Sequence, residues 1–280
     1  MGCYYLNHES DLTRDDHFIP QFYQNSWECS EKRKHVWRFE KKYLSVDTVA
    51  IKKNCSEEYL YEADKNAPDN VFEKKHKQEI EDVYCVKLKS LLDRINCIVN
   101  ITDEDKEAII TLFENFSSRH PDNLYKNPIN NAIVSHFTIG DSNEEREKRF
   151  FLNILPFTDI ISLDAYKVEL LFSPQGYIVF SDCITIGNQY SDEMYFPLSP
   201  YVVALISKSD GCIDKSIKRI TAREIDSLIN LYIASGKVTR IFSNNKQLIG
   251  FVKEKYIFWK KHINPFVEKA LRGEIKNDSE

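Results

Sequence analysis

Glycine is scarce in this chain, and its scarcity excludes the nucleotide-binding loops that depend on it. The 280 residues include eight glycines, and the two nearest, Gly176 and Gly187, are eleven positions apart. A Rossmann turn and a P-loop both need clustered glycines, because the backbone must approach the phosphates closely. We therefore expect no nucleotide cofactor.

Closely spaced cysteines and histidines are also lacking. The seven cysteines are at least twelve positions apart and the seven histidines at least nine. Zinc knuckles, redox Cys-x-x-Cys pairs and helical zinc-binding histidine pairs all need closer spacing. The cysteines are expected to be reduced thiols.

Neither long hydrophobic runs nor a strong net charge is present. The longest stretch without Asp, Glu, Lys or Arg has fourteen residues, whereas a bilayer-spanning helix needs about twenty. The net charge of -5 gives no general attraction to nucleic acid or anionic lipid. We expect a cytoplasmic protein with no membrane partner and an unknown oligomeric state.

Hydrophobic residues make up 42% of the chain and charged residues 29%, as in ordinary globular proteins. No linker rich in Gly, Pro or Ser divides the sequence. The expectation is one compact domain over 1–280, with a mostly helical lobe over 1–155 and strands plus helices over 156–280.

Periodicity predicts an α+β fold with a helical N-terminal half containing short strands. Apolar spacings of three and four predict a helix over 71–97, and Thr102 is a good helix N-cap for a second helix ending near Arg119. Further predicted N-terminal elements are strands at 35–39 and 45–51 and helices at 130–139 and 143–155.

In the C-terminal half the apolar period changes to two, which predicts an antiparallel strand cluster backed by helices. Residues 166–172 and 177–180 read as a hairpin around a turn that contains Gly176. The other predicted elements are strands at 195–198, 201–207 and 240–243 and helices at 221–235 and 246–271.

Two basic segments are candidate binding surfaces. The first runs from Lys32 to Lys42 and offers Arg33, Lys34 and Arg38 to nucleic acid. The second, 253–262, interleaves lysines with Tyr256 and Trp259. Solvated lysine-rich surface is the alternative interpretation of both.

The segment His17-Phe18-Ile19-Pro20-Gln21-Phe22-Tyr23 resembles the N-terminal motif of the bacterial "domain of unknown function 4238" family. Further landmarks occur in the expected order, among them Phe196-Pro197-Leu198-Ser199-Pro200 and Arg240-Ile241-Phe242-Ser243. The sequence departs from the family at Phe180 and Cys183-Ile184, where Thr-Ser-Asp-Asn-Pro is usual. The resemblance implies a bacterial protein and carries no activity with it.

One hypothesis gathers the polar candidates into a single cleft for metal-assisted, nuclease-like phosphodiester hydrolysis. Carboxylates would bind Mg²⁺ or Mn²⁺, a histidine would transfer protons, and an arginine would hold an anionic substrate. The candidates are His17, Gln21 and Arg119 as catalytic residues and Glu73, Glu81 and Asp182 as metal ligands.

The alternative is a non-catalytic binding or regulatory module that engages a partner protein or nucleic acid. In that interpretation His17 and Gln21 bond backbone groups around Pro20, and Glu73 or Glu81 pairs with Arg119 to fix helix packing. A carboxylate close to the core needs such a partner, because burying it unpaired is costly.

Overall fold

The computed structural model describes residues 15–58, 77–97, 100–120, 166–184, 186–188, 193–208 and 216–271. The strands of these residues are β1 (Asp15–His17), β2 (His35–Glu40), β3 (Ser45–Ala50), β4 (Ser56–Glu58), β5 (Tyr166–Phe172), β6 (Phe180–Ser181), β7 (Ile186–Asn188), β8 (Glu193–Ser199), β9 (Val202–Lys208), β10 (Ile217–Arg219) and β11 (Arg240–Ser243). The helices are α1 (Gln21–Asn25), α2 (Asp82–Arg94), α3 (Asp103–Arg119), α4 (Ala222–Ala234), α5 (Lys246–Phe258) and α6 (Asn264–Leu271).

Shorter helical turns join some of these elements. A 3₁₀ turn, Ile51–Lys53, follows β3, and π-helical turns precede α2 (Lys77–Glu81) and connect α5 to α6 (Trp259–Ile263). Within the part of the chain that is described, no helix is long and apolar enough to cross a membrane.

The described strands form three sheets. Strands β1 and β4 pair with each other, β3-β2-β11-β6 form an antiparallel sheet, and β10-β5-β9-β8-β7 form the largest sheet. In the largest sheet β10 runs parallel to β5, whereas the other pairs are antiparallel.

The fold is α+β, but the prediction of a helical N-terminal half was wrong. Residues 15–58 contain four strands and only one short helix. Strand β2 lies between β3 and the late strand β11, with Trp37 opposite Ser243. Strand β2 thus pairs with a segment about two hundred residues later, a partner that local periodicity does not reveal.

The predicted hairpin around Gly176 was also wrong. Strand β5 pairs with β9 and β10, and the chain after the turn enters β6 of the other sheet. Gly176 has φ +68°, and a Cβ there would lie 3.0 Å from the Tyr201 ring. The glycine therefore allows a tight turn that redirects the chain between sheets instead of folding it back on β5.

The two helix N-termini that were predicted at threonines are both present in the structure. Thr102 and Asp105 form a reciprocal capping box at the start of α3, and Thr221 forms one with Glu224 at the start of α4. Each box satisfies backbone N–H groups that the first helical turn leaves without partners. Of the helix predicted over 71–97, residues 77–94 are helical; the helices predicted at 130–139 and 143–155 lie outside the described residues.

A cluster of buried aromatic rings joins α1 to both larger sheets and to α3. Tyr23 stacks on Phe196 with centroids 6.2 Å apart and meets Phe116 edge-on at 5.4 Å. Trp27 lies 4.8 Å from Phe180. The Tyr23 hydroxyl donates to the carbonyl of Pro197 in β8, so the aromatic N-terminal motif is core.

Lys41 is a buried lysine at the end of β2 that caps the C-terminus of α4. Its side chain is 8% exposed, and Nζ donates to the carbonyls of Tyr232 (2.6 Å), Ile233 (3.0 Å) and Ser235 (3.0 Å). These carbonyls lie at the negative end of the helix dipole, where a cation is stabilising.

Lys41→Met is expected to lower the free energy of unfolding by about 2–3 kcal/mol, because three carbonyls lose a charged donor while the aliphatic stem is kept. Urea denaturation monitored by circular dichroism measures this change. Lys42→Met, at the exposed neighbour, is the matched control. Equal midpoints for the two variants would show that Lys41 does not hold the helix end.

Candidate functional site

Arg119 is the centre of the first polar cluster. It is fully buried at the end of α3. Its Nη1 donates to Oε1 of Glu81 at 2.8 Å, and its Nη2 donates to the backbone carbonyl of His17 at 2.5 Å. One guanidinium therefore connects β1, α3 and the π-helical turn before α2.

The sequence of α3 explains why an arginine lies in the core. The helix is buried on nearly all sides, and Leu112, Asn115 and Phe116 precede Arg119 at spacings that share one face. A charge carried inward on such a face needs an opposite charge and hydrogen-bond acceptors. Glu81, whose side chain is 17% exposed, supplies the opposite charge.

The His17 ring lies beside Arg119 and is 7% exposed. Its Nε2 is 3.1 Å from the carbonyl of Lys52, to which the protonated nitrogen donates. Burial, and next the positive charge of Arg119, lower the pKa of His17 below 6.5. The imidazole is therefore neutral at pH 7 and holds the 3₁₀ turn after β3.

Acid is expected to destabilise the protein partly through His17. Because its pKa is lower in the folded chain than the 6.5 of the unfolded chain, the unfolded state binds more protons between these two values. Stability from this group is complete above pH 6.5 and is lost as the pH falls through 6.5 towards the folded pKa.

His17→Gln, which keeps a side-chain donor for Lys52, should flatten this loss in urea denaturation at pH 7.5, 6.5 and 5.5. His262→Gln, at an exposed histidine, is the control and should follow the wild type. The same pH slope in His17→Gln and wild type would contradict the assignment.

Asp182 belongs to a second cluster, at the end of β6. Its Oδ1 accepts from the backbone N–H groups of Thr239 (3.1 Å) and Arg240 (3.2 Å). Its Oδ2 accepts from the Thr239 hydroxyl and from Nε of Arg240, the latter at 3.3 Å. Both oxygens thus hold the start of β11, and none of these bonds reaches Arg119.

Buried Cys55 lies next to the first cluster. Its carbonyl accepts from the Phe18 backbone N–H at 3.0 Å, next to His17. Burial raises the pKa of its thiol, and the charges of Arg240 and Asp182 also act on that pKa. The thiol is therefore protonated at neutral pH and belongs to the hydrophobic core.

The remaining candidates are placed differently. Gln21 begins α1 and is exposed, and Glu73 lies outside the described residues. Gln24, which sequence reasoning missed, is fully buried; its Nε2 donates to Ile19 O (2.7 Å) and Asn54 O (3.1 Å). Its position four residues after Pro20 was the available signal, because it places the side chain back over the turn.

No group of three or more His, Cys, Asp or Glu side chains suited to a metal ion is found among the described residues. The structure brings His17, Glu81 and Arg119 together and places Asp182 with Thr239 and Arg240. The arrangement can fix strands and helices to one another. Glu81 and Asp182 each already pair with an arginine.

Two surface cavities lie at other places. One of about 320 Å³ lies at the β8–β9 turn and is lined by Leu92, Ile95, Ser199 and Tyr201 among others. The second, of about 420 Å³, lies between α4 and α5 and is lined mainly by apolar and aromatic side chains. Neither lining includes a residue of the two polar clusters.

In the basic segment from Lys32 to Lys42, which was predicted to bind nucleic acid, one of the three named cations already pairs with acids of the protein. Arg38 donates to both oxygens of Asp47, at 3.0 and 2.7 Å, and lies 3.7 Å from Glu40. Arg33 and Lys34 are exposed in the turn before β2. The charge of Arg38 is therefore compensated within its own sheet.

Comparison with known proteins gives a family and no activity. No curated protein and no solved structure matches the chain. The model of the family described as "Protein of unknown function (DUF4238)" matches residues 16–155, which include the His17–Tyr23 motif. This match confirms the resemblance expected from the motif, and the chain belongs to that family.

Proposed function

We propose that this chain is a non-catalytic binding module that engages a partner protein. The observation that carries the proposal is the state of the candidate acids. Glu81 is paired with buried Arg119, and Asp182 accepts from four donors of Thr239 and Arg240. Their roles in this proposal are to hold the fold.

Electrostatics supports the same conclusion. A guanidinium 2.8 Å from Glu81 repels a second cation at that carboxylate, and Arg240 has the same effect at Asp182. Binding Mg²⁺ or Mn²⁺ at either acid would require breaking an ion pair inside the protein, which is costly. The ring of His17 likewise already has a hydrogen-bond partner, the backbone carbonyl of Lys52.

The surface supports binding of a partner. Five aromatic side chains, distributed over the C-terminal half of the chain, are about half exposed or more: Tyr177 (45%), Tyr201 (47%), Phe251 (50%), Phe258 (59%) and Phe266 (63%). Exposed aromatic groups are enriched where proteins bind one another, since they bury a large area with few rotatable bonds.

Nucleic acid is a second candidate partner, favoured by one local arrangement. Lys246 lies 5.1 Å over the ring of Trp37 in β2, the strand that follows exposed Arg33 and Lys34 in the sequence. If this patch binds a labelled single strand, Arg33→Ala with Lys34→Ala should weaken binding and flatten its salt dependence. Unchanged anisotropy titrations would remove the patch from consideration.

A nuclease assay tests the proposed function against metal-assisted hydrolysis. Purified protein is incubated with single- and double-stranded DNA and RNA in Mg²⁺ or Mn²⁺, beside Glu81→Gln and Asp182→Asn. We expect no cleavage above buffer in any sample. Metal-dependent cleavage by wild type that is lost in Glu81→Gln would overturn the binding module and favour the hydrolase.

A further inference from the structure

Helix α5, the π-helical turn Trp259–Ile263 and α6 follow one another without a break and form one long C-terminal helix. The rest of the described structure covers the apolar side of this helix only in its first half. Ile249 and Val252 of α5 are buried, and Tyr256 meets Phe39 of the sheet edge-on at 5.5 Å. Beyond this point four large apolar side chains are exposed. They form the apolar ridge: Phe258 (59%), Ile263 (42%), Phe266 (63%) and Val267 (40%).

Two residues of the ridge, Ile263 and Phe266, continue the pattern that packs α5 on the core. Apolar residues recur at 249, 252, 256, 259, 263 and 266, at alternating spacings of three and four. This spacing is typical of a helix face that packs along another element. The π-helical turn Trp259–Ile263 lies where the cover ends, and such turns occur frequently at functional sites.

Positive charge accompanies the ridge in a chain whose net charge is negative. Lys260, Lys261 and His262 are consecutive and exposed. The acid nearest to them in α6, Glu268, accepts from Nδ2 of Asn264 at 2.7 Å. The chain as a whole carries -5, so this surface differs from the average surface in both polarity and sign of charge.

We infer that the apolar ridge docks an amphipathic helix of a partner protein whose flanking residues are acidic; this inference rests on the proposed function. Phe258 to Val267 spans about 14 Å of helix, enough for two or three anchor side chains at helical spacing. Asp and Glu on the partner would complement Lys260 and Lys261 at the edge of the contact.

Other occupants fit these observations less well. A second copy of the chain, packed antiparallel ridge to ridge, would bring Lys260 and Lys261 near the same residues, because they lie between Phe258 and Ile263 along the helix. Nucleic acid would pair with the lysines and leave Phe266 in water. Anionic lipid would also pair with Lys260 and Lys261, and vesicle binding is therefore one arm of the test.

The test uses a displayed library of twenty-residue amphipathic helices with randomised flanking positions, selected against the full chain. Selected peptides are then titrated by fluorescence anisotropy against two variants. Phe258→Ser with Phe266→Ser removes the ridge, and Lys260→Glu with Lys261→Glu reverses its charge. Tyr43→Ser, at an aromatic side chain of similar exposure in the turn after β2, is the matched control.

We expect selected peptides to carry Asp or Glu beside an apolar stripe and to bind both variants at least about tenfold more weakly, with the control unchanged. Circular dichroism shows whether each variant is folded. The inference is overturned if no peptide is selected or if peptides bind the ridge variant as tightly as wild type.

Two further measurements assign the ridge to another occupant and also overturn the inference. One is sedimentation with vesicles of one part phosphatidylglycerol to three parts phosphatidylcholine that Phe258→Ser with Phe266→Ser abolishes. The other is a dimer in analytical ultracentrifugation that the same variant dissociates. If the ridge fails these tests and the protein also shows no nuclease activity, the proposal of a binding module stands, and its docking surface is elsewhere.

Discussion

Arg119→Met is expected to lower the free energy of unfolding by about 3–5 kcal/mol, because it leaves Glu81 charged at the edge of the core without its cation. The substitution also removes the donor at 2.5 Å from the His17 carbonyl. Guanidinium chloride denaturation followed by tryptophan fluorescence measures this change.

The graded variants of this pair separate charge from geometry. Arg119→Lys keeps the charge and loses the planar fork that reaches two acceptors at once, so it should recover only part of the loss. Glu81→Gln should cost less than Arg119→Met, because the glutamine oxygen still accepts from Nη1 and Arg119 keeps its bond to the His17 carbonyl. Arg119→Met that is as stable as wild type would show that the cluster does not hold β1 to the helices.

The second large expected effect is at Asp182. Asp182→Asn should lower the free energy of unfolding by about 3 kcal/mol, because it removes the charge that pairs with Arg240 inside the protein. It also places an amide donor against donors of Thr239 and Arg240. Chemical denaturation in buffer free of divalent ions measures the effect.

Two comparisons give the Asp182 prediction its meaning. Asp47→Asn, at a half-exposed carboxylate of the same sheet that also pairs with an arginine, is the control and should cost about 1 kcal/mol or less. A metal-ligand role predicts the opposite pattern for Asp182→Asn: unchanged stability without metal, and loss of a metal-induced stabilisation. That pattern would contradict a structural role.

The elements that the sequence predicted are those with local causes. The starts of α3 and α4 depend on Thr102 and Thr221, whose hydroxyls bond backbone groups three residues later. Strand β5 was found because its apolar residues Val168, Leu170 and Phe172 alternate within the strand. These signals lie within a few positions of one another along the chain.

The strand pairings that it did not predict depend on distant partners. Strand β11 lies between β2 and β6, which come from widely separated parts of the chain. The strand at 240–243 was predicted, but its pairing with β2 and β6 lies in no single window of the sequence. In the same way β10 joins β5 in parallel, although an antiparallel cluster was expected.

The candidate site shows the same division. An ion pair between Glu81 and Arg119 was open to sequence reasoning, since a carboxylate beside an apolar stripe needs a cation. The hydrogen bond from Arg119 to the backbone carbonyl of His17 could not be predicted, because every residue type has a backbone carbonyl. Nor could the sequence assign Asp182 to the backbone of Thr239 and Arg240, fifty-seven and fifty-eight positions later.

The most direct test of the central claim, that Glu81 holds the fold and binds no metal, is thermal melting of wild type and Glu81→Gln with and without Mg²⁺, Mn²⁺, Zn²⁺ or Ca²⁺. An ion that binds only the folded state raises the melting temperature of the protein. We predict no ion-induced rise in either protein and a lower melting temperature for Glu81→Gln. A rise in wild type that Glu81→Gln abolishes would contradict the account.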